Sequence, residues 1–170
     1  MVIRTLGHGA LTVDGFLAQC RAAAIETVVD VRRYPGSRRH PHFGGETMAG
    51  WLAEAGIGYR WLPALGGRRT PAPDSPNVAL DNPQFRAYAD HMAGGEFRAG
   101  CAELLALGRS APVAVMCAES LWWRCHRRLL ADHLVLVAGV DVEHVLPGGR
   151  IVPHQPVLAA RIDGDHLVYG

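Results

Sequence analysis

The densest chemistry in this chain lies in one stretch, Cys117-Ala118-Glu119-Ser120-Leu121-Trp122-Trp123-Arg124-Cys125-His126-Arg127-Arg128. A cysteine that leaves a strand just ahead of a helix sits at that helix's amino end. There the dipole and neighbouring guanidinium groups favour the thiolate. Cys117 in that position reads as a nucleophile or redox thiol, with Glu119, His126 or His8 moving a proton. The plain alternative is a buried cysteine that fills space. The tyrosine-phosphatase loop does not fit, because six residues separate Cys117 from Arg124 and that loop has five. Cys117, Cys125 and His126 are zinc-type ligands, yet the gap between the cysteines is not a usual zinc spacing. No metal is expected; these three would hold one if it were present.

A second cluster, Arg32-Arg33-Tyr34-Pro35-Gly36-Ser37-Arg38-Arg39-His40-Pro41-His42, carries four arginines and no acid. Guanidinium forks hold phosphate or carboxylate bidentately, and a Pro/Gly loop would hold the forks. Arg32, Arg38 and Arg127 are the candidate anion ligands, with Gly66 and Gly67 in a second glycine-rich loop. Asp30, two residues before Arg32 on a strand, projects to the same side. It would orient an arginine or act as an acid/base. Gly7-His8-Gly9 matches half of a dinucleotide fingerprint, but Thr12 stands at the third glycine position, so no such cofactor, and no other, is expected. Trp122 and Trp123 could stack on a base or pack under the next helix.

Strand and helix patterns must bring these residues together. Val2–Leu6, Glu26–Val31, Tyr59–Leu62, Val113–Met116 and Val142–Leu146 read as strands. Val113–Met116 is apolar throughout and so central. Helices are expected after Thr12, over Glu46–Ala55, Gln84–Met92 and Glu96–Leu107, and over Arg124–Val137. The segment from Pro63 to Asp81 reads as a lid or binding loop. The tail from Val157 to Tyr169, turning at Asp163-Gly164, reads as a hairpin. The expected fold is α/β: a mostly parallel, Rossmann-like sheet of about five strands with helices on both faces. In such sheets ligands bind beyond the carboxyl ends of the strands. Gly7-His8-Gly9, Asp30/Arg32, Gly66-Gly67 and Cys117-Ala118-Glu119 all follow strands and so share that edge.

Composition bounds the rest. A chain of 170 residues suits one domain, and 49% hydrophobic residues argue for a packed core. All 17 basic residues are arginine, which excludes a Schiff-base lysine and a phosphate-loop lysine. The net charge of +1 gives no global attraction to nucleic acid. No membrane span or secretory leader is visible, and four cysteines suit a reducing, cytoplasmic setting. Cys20 and Cys101 fall on apolar helical faces and read as structural.

The order Gly7-His8, Val29-Asp30-Val31-Arg32, Pro35-Gly36-Ser37-Arg38-Arg39, Leu65-Gly66-Gly67, Phe85-Arg86-Ala87-Tyr88-Ala89-Asp90, Met116-Cys117-Ala118-Glu119 and Cys125-His126-Arg127 resembles the DUF488 family, a domain of unknown function. The resemblance runs from Leu6 to Tyr169. It implies a Rossmann-like fold and a pocket built on the motif residues, but no reaction. Three readings therefore stand side by side. One is an enzyme acting on a small phosphorylated or nucleotide-like ligand. Another is a non-catalytic module that binds a ligand, or nucleic acid, through the arginine loop. The last is a metal site on Cys117, Cys125 and His126.

Overall fold

The computed structural model describes every residue, Met1–Gly170. In chain order it contains β1 (Val2–Gly7), α1 (Val13–Ala22), β2 (Thr27–Asp30), α2 (Gly45–Glu54), β3 (Gly58–Trp61), α3 (Pro83–Met92) and α4 (Gly95–Ser110). There follow β4 (Val113–Cys117), α5 (Arg127–Leu136), β5 (Asp141–Val145), β6 (Ile151–Pro153), β7 (Ala160–Asp163) and β8 (His166–Tyr169). Two helix starts, those of α1 and α3, are capped by side chains. Thr12 accepts from the Gly15 amide, and Asn82 accepts from the Gln84 and Phe85 amides with Pro83 in the first turn.

Six strands form one sheet in the order β3-β2-β4-β1-β5-β6. The first five run parallel, and β6 is antiparallel to β5. The sheet thus has one strand more than expected. β6 spans three residues, too few to show a pattern, and is reached through a turn at Gly148 and Gly149, both at positive φ. The separate β7–β8 hairpin turns at Gly164.

All five residues of β4 are buried, as a central strand between two helical layers requires. On one face Phe16, Leu17 and Cys20 of α1 and Met48 and Leu52 of α2 cover Leu6, Val28, Ala114 and Met116. On the other, Met92, Phe97, Leu104 and Leu129 from α3, α4 and α5 cover Ile3, Val29 and Val115. The segment between the 3-10 turn Pro63–Leu65 and α3 is not a free lid. Ser75 and Asn77 donate to the Asp90 carboxylate, and Asn77 accepts from the Tyr169 amide, so β8 and α3 hold it down.

The chain leaves β1 through α1 toward β2, stepping over β4. It leaves β4 through α5 toward β5, stepping over β1 in the opposite direction. The carboxyl ends of β1 and β4 therefore border the crevice where open α/β sheets bind ligands. The two exit loops run side by side, with the His8 amide donating to the Cys117 carbonyl (2.9 Å) and Gly9 to Ala118 (2.9 Å). Glycine is required by this contact. A Cβ on Gly7 would lie 1.8 Å from the Glu119 oxygen, and one on Gly9, at φ +46°, would lie 2.1 Å from Ser120 Oγ. The fingerprint-like glycines make room for the chain's own Glu119-Ser120 loop.

Gly7→Ala is accordingly expected to destabilise the chain by at least about 2 kcal/mol in urea unfolding. Gly50→Ala, on the open face of α2, is expected to stabilise it by about 0.5–1 kcal/mol. Equal effects at the two sites would contradict the packing account.

Candidate functional site

α5 begins at Arg127, three residues later than its apolar spacing suggests. Trp122–Arg124 forms a 3-10 turn and Cys125 is extended (φ −135°, ψ 171°). The consequence is chemical. Cys125 stands outside the helix, its sulfur accepts from the Arg127 amide (3.3 Å), and it faces Cys117 at the end of β4 with the two sulfurs 3.2 Å apart. The Arg127 side chain, 1% exposed, closes the cluster. Its Nε donates to Cys117 Sγ (3.0 Å) and Cys125 Sγ (3.2 Å), Nη1 to Thr5 Oγ1 (3.1 Å) and Nη2 to the Glu119 carbonyl.

A guanidinium does not deprotonate, and burying one demands an opposite charge. Every side-chain partner of Arg127 is neutral unless a thiol ionises. Burial opposes ionisation of Cys125, but the Cys117 hydrogen bond, the Arg127 charge and His126 outweigh it and hold this thiol well below its ordinary pKa. Burial and the hydrogen bond to Cys125 push Cys117 the other way, well above its ordinary value. Were the pair to ionise, one proton would remain between the sulfurs, and Cys125, which alone also accepts from the Arg127 amide, is the better placed to carry the charge.

Behind Arg127 runs a buried chain of hydrogen bonds: Thr5 Oγ1 to His144 Nδ1 (2.7 Å), His144 Nε2 to His154 Nδ1 (2.9 Å), and His154 Nε2 to Asp132 Oδ1 (2.7 Å). Tyr169 donates to the other Asp132 oxygen (2.9 Å). The Asp132 carboxylate can only accept, so His154 donates to it, and through neutral imidazoles the relay then runs from the Thr5 hydroxyl to His144 and on to His154. The chain thus has one direction, and it aims the Thr5 lone pair at Arg127. Trp122 lies flat on His144 (4.1 Å, 5°), so this tryptophan is a wall of the chain and not a free stacking face.

The second wall is built on β2. Asp30, wholly buried, grips Arg32 through Nε (2.9 Å), Nη2 (2.7 Å) and the Arg32 amide (3.0 Å), and accepts from the Tyr59 hydroxyl (2.6 Å). His8 stacks on Phe43 (4.3 Å, 19°), donates through Nδ1 to the Gly9 carbonyl (2.9 Å) and turns Nε2 toward Arg32 Nη1 (3.4 Å). Burial, with the Arg32 charge adding to it, lowers its pKa from 6.5 to about 4, so the ring is neutral at pH 7.

Between these walls lies an open cavity of about 580 Å³. Among the residues singled out from the sequence, His8, Arg32, Gly67, Cys117, Glu119, Cys125 and His126 line it. Four do not. Asp30 stands behind Arg32, Arg127 beneath the sulfurs, and Gly66 against the Arg33 backbone, where a Cβ would come within 2.7 Å of the Arg33 amide nitrogen. Arg38 is exposed and points elsewhere, and its neighbour Arg39 lines the cavity with Arg33 and Arg68. Nothing in an irregular loop distinguishes adjacent arginines by spacing. His126 is half-buried, its Nε2 sealed from solvent without a hydrogen-bond partner, and burial lowers its pKa. No three His, Cys, Asp or Glu side chains converge to hold one metal ion, and Arg127 occupies the side of the sulfurs where a cation would sit. No helix is long and apolar enough to cross a membrane.

Burial also lowers His133 to about 4 and His144 to about 3. Between pH 6.5 and about 4 the unfolded chain binds protons at these rings and at His8 that the folded chain does not. Stability is present above that window and is expected to fall as pH drops through it. Urea midpoints measured across this range test this; a flat profile would contradict the neutral buried rings.

Comparison with curated proteins and with solved structures found no match. The profile of the domain of unknown function DUF488 matches residues 12–134, a span that holds the arginine loop, both site cysteines and most of α5. The chain belongs to the DUF488 family.

Proposed function

We propose that this protein is a thiol-dependent enzyme acting on a small phosphorylated or nucleotide-like ligand. The observation that carries the reading is the buried Arg127 guanidinium donating to two sulfurs at the floor of an arginine-lined cavity. Arg32, Arg33, Arg39 and Arg68 face the cavity against the single carboxylate of Glu119, a balance that favours an anionic ligand. A volume of about 580 Å³ is in the range of sites for small organic ligands.

In this reading the Cys125 thiolate attacks an electrophilic carbon or phosphorus of the bound anion. The new bond to sulfur forms as the leaving group departs with its electron pair. Cys117 is the neighbouring thiol that hands a proton to the departing group. Through Nδ1, the ring nitrogen beside Gly67, neutral His126 takes a proton from the water that releases the ligand. Asp30 and His8 act as positioning groups that fix the Arg32 fork. The sequence pointed to Cys117 as the nucleophile; the greater exposure of Cys125 and the Arg127 amide that donates to its sulfur favour Cys125.

The non-catalytic alternative loses one of its supports, because Trp122 is stacked on His144. Trp123 remains exposed but lies outside the cavity.

AMP and inorganic pyrophosphate serve as anionic probes. One of them is expected to raise the melting temperature by roughly 3–5 °C at ten times its Kd. The shift should shrink in Arg39→Ala and with added salt, and persist in Cys125→Ser, which binds without reacting. No shift with either probe, or a shift indifferent to salt and to Arg39→Ala, would contradict an anion site here.

A further inference from the structure

The two site cysteines differ in access. Cys125 is half-buried on the cavity wall, whereas Cys117 is 3% exposed behind it. Their sulfurs, 3.2 Å apart and unbridged, need to approach by roughly 1.2 Å to reach disulfide bonding distance. Extended backbone at Cys125 leaves its side chain outside the helix, free to make that approach. The remaining cysteines are different. Cys20 and Cys101 are buried on helices in the two cores, and burial pushes each thiol up to about 12. They are inert internal standards.

We infer that Cys117 and Cys125 form a reversible dithiol couple, oxidised to an intramolecular disulfide by small anionic disulfides entering the arginine-lined cavity. The inference rests on the Cys125 thiolate of the preceding reading and adds a redox reaction to it. The Cys125 thiolate attacks one sulfur of the incoming disulfide, whose S–S bond breaks to release one thiolate. Cys117 gives its proton to that thiolate and attacks the Cys125 sulfur, expelling the second thiolate, which takes a proton from water. The protein loses two electrons and the one proton of Cys117, water supplies the other proton, and the external disulfide becomes two thiols.

The accessible thiolate thus makes the first contact and the buried thiol completes the ring. The product removes the negative charge beside Arg127, so the reduced form keeps a charge contact that the disulfide lacks. Such a disulfide is readily reduced by excess thiol. While it persists, the cavity has no nucleophile, so oxidation would switch the thiol chemistry off.

The test is to incubate the reduced full-length chain with mixtures of reduced and oxidised glutathione, quench with acid, alkylate under denaturing conditions and weigh the intact protein. At oxidising ratios two of the four thiols, those of Cys20 and Cys101, are expected to alkylate, and dithiothreitol should restore all four. Cys117→Ser should instead retain a glutathione adduct on Cys125, and Cys125→Ser should not react. Four alkylatable thiols at every ratio, or an adduct in the unsubstituted chain that never resolves, would overturn the inference. Iodoacetamide labelling near pH 6.5, about two units below the free-thiol value of ~8.5, separates the two claims. Labelled Cys125 without a disulfide would defeat the redox couple and leave the thiolate enzyme standing. Unlabelled Cys125 would defeat both.

Discussion

A guanidinium with almost no solvent exposure is the constraint around which this molecule is arranged. Arg127 sits where β1, β4 and α5 meet, and its donors reach a β1 hydroxyl, a loop carbonyl and two sulfurs. Leaving a buried charge without a partner costs about 3–5 kcal/mol, so the fold must supply a counter-charge. An ionised thiol would supply it at short range, and in the proposed reading the contact that accommodates Arg127 also makes one sulfur nucleophilic.

The surrounding structure fixes that contact from both sides. The Asp132–His154–His144–Thr5 chain, drawn from α5, β5 and the segment after β6, prevents Thr5 from rotating away from Arg127. On the open side, the glycines of the first turn let the Cys117–Ser120 loop lie against β1, which brings the Glu119 carbonyl onto the guanidinium. The β2 wall repeats the principle with a carboxylate, since Asp30 satisfies three donors of Arg32 and leaves its remaining face toward the cavity. One arginine is thus committed to a sulfur pair and another keeps a free face toward the cavity.

Much of the scaffold was legible in the residues. Short apolar runs ending at glycine or a charge gave the parallel strands, and Thr12 and Asn82 marked helix starts. The gathering of His8, Arg32, Gly67 and Cys117 at one edge followed from strand order alone. Three features escaped. β6 is too short to carry a period, although Pro147-Gly148-Gly149 between two apolar segments is a turn signal that could have exposed it. The late start of α5 arises because Trp122 packs on His144, a partner distant in sequence, and that displaced start is what makes Cys125 a site residue. The His144–His154–Asp132 chain joins residues with no common spacing, so only the fold brings them together.

The central claim is that Arg127 holds a thiolate at the cavity floor. Titrating the ultraviolet absorbance of the thiolate against pH, in the unsubstituted chain and in Arg127→Gln, tests it most directly. The account predicts one thiol ionising well below the free-cysteine value of about 8.5, and that midpoint moving up in Arg127→Gln. A midpoint at or above the free value, or one unchanged by the substitution, would contradict it.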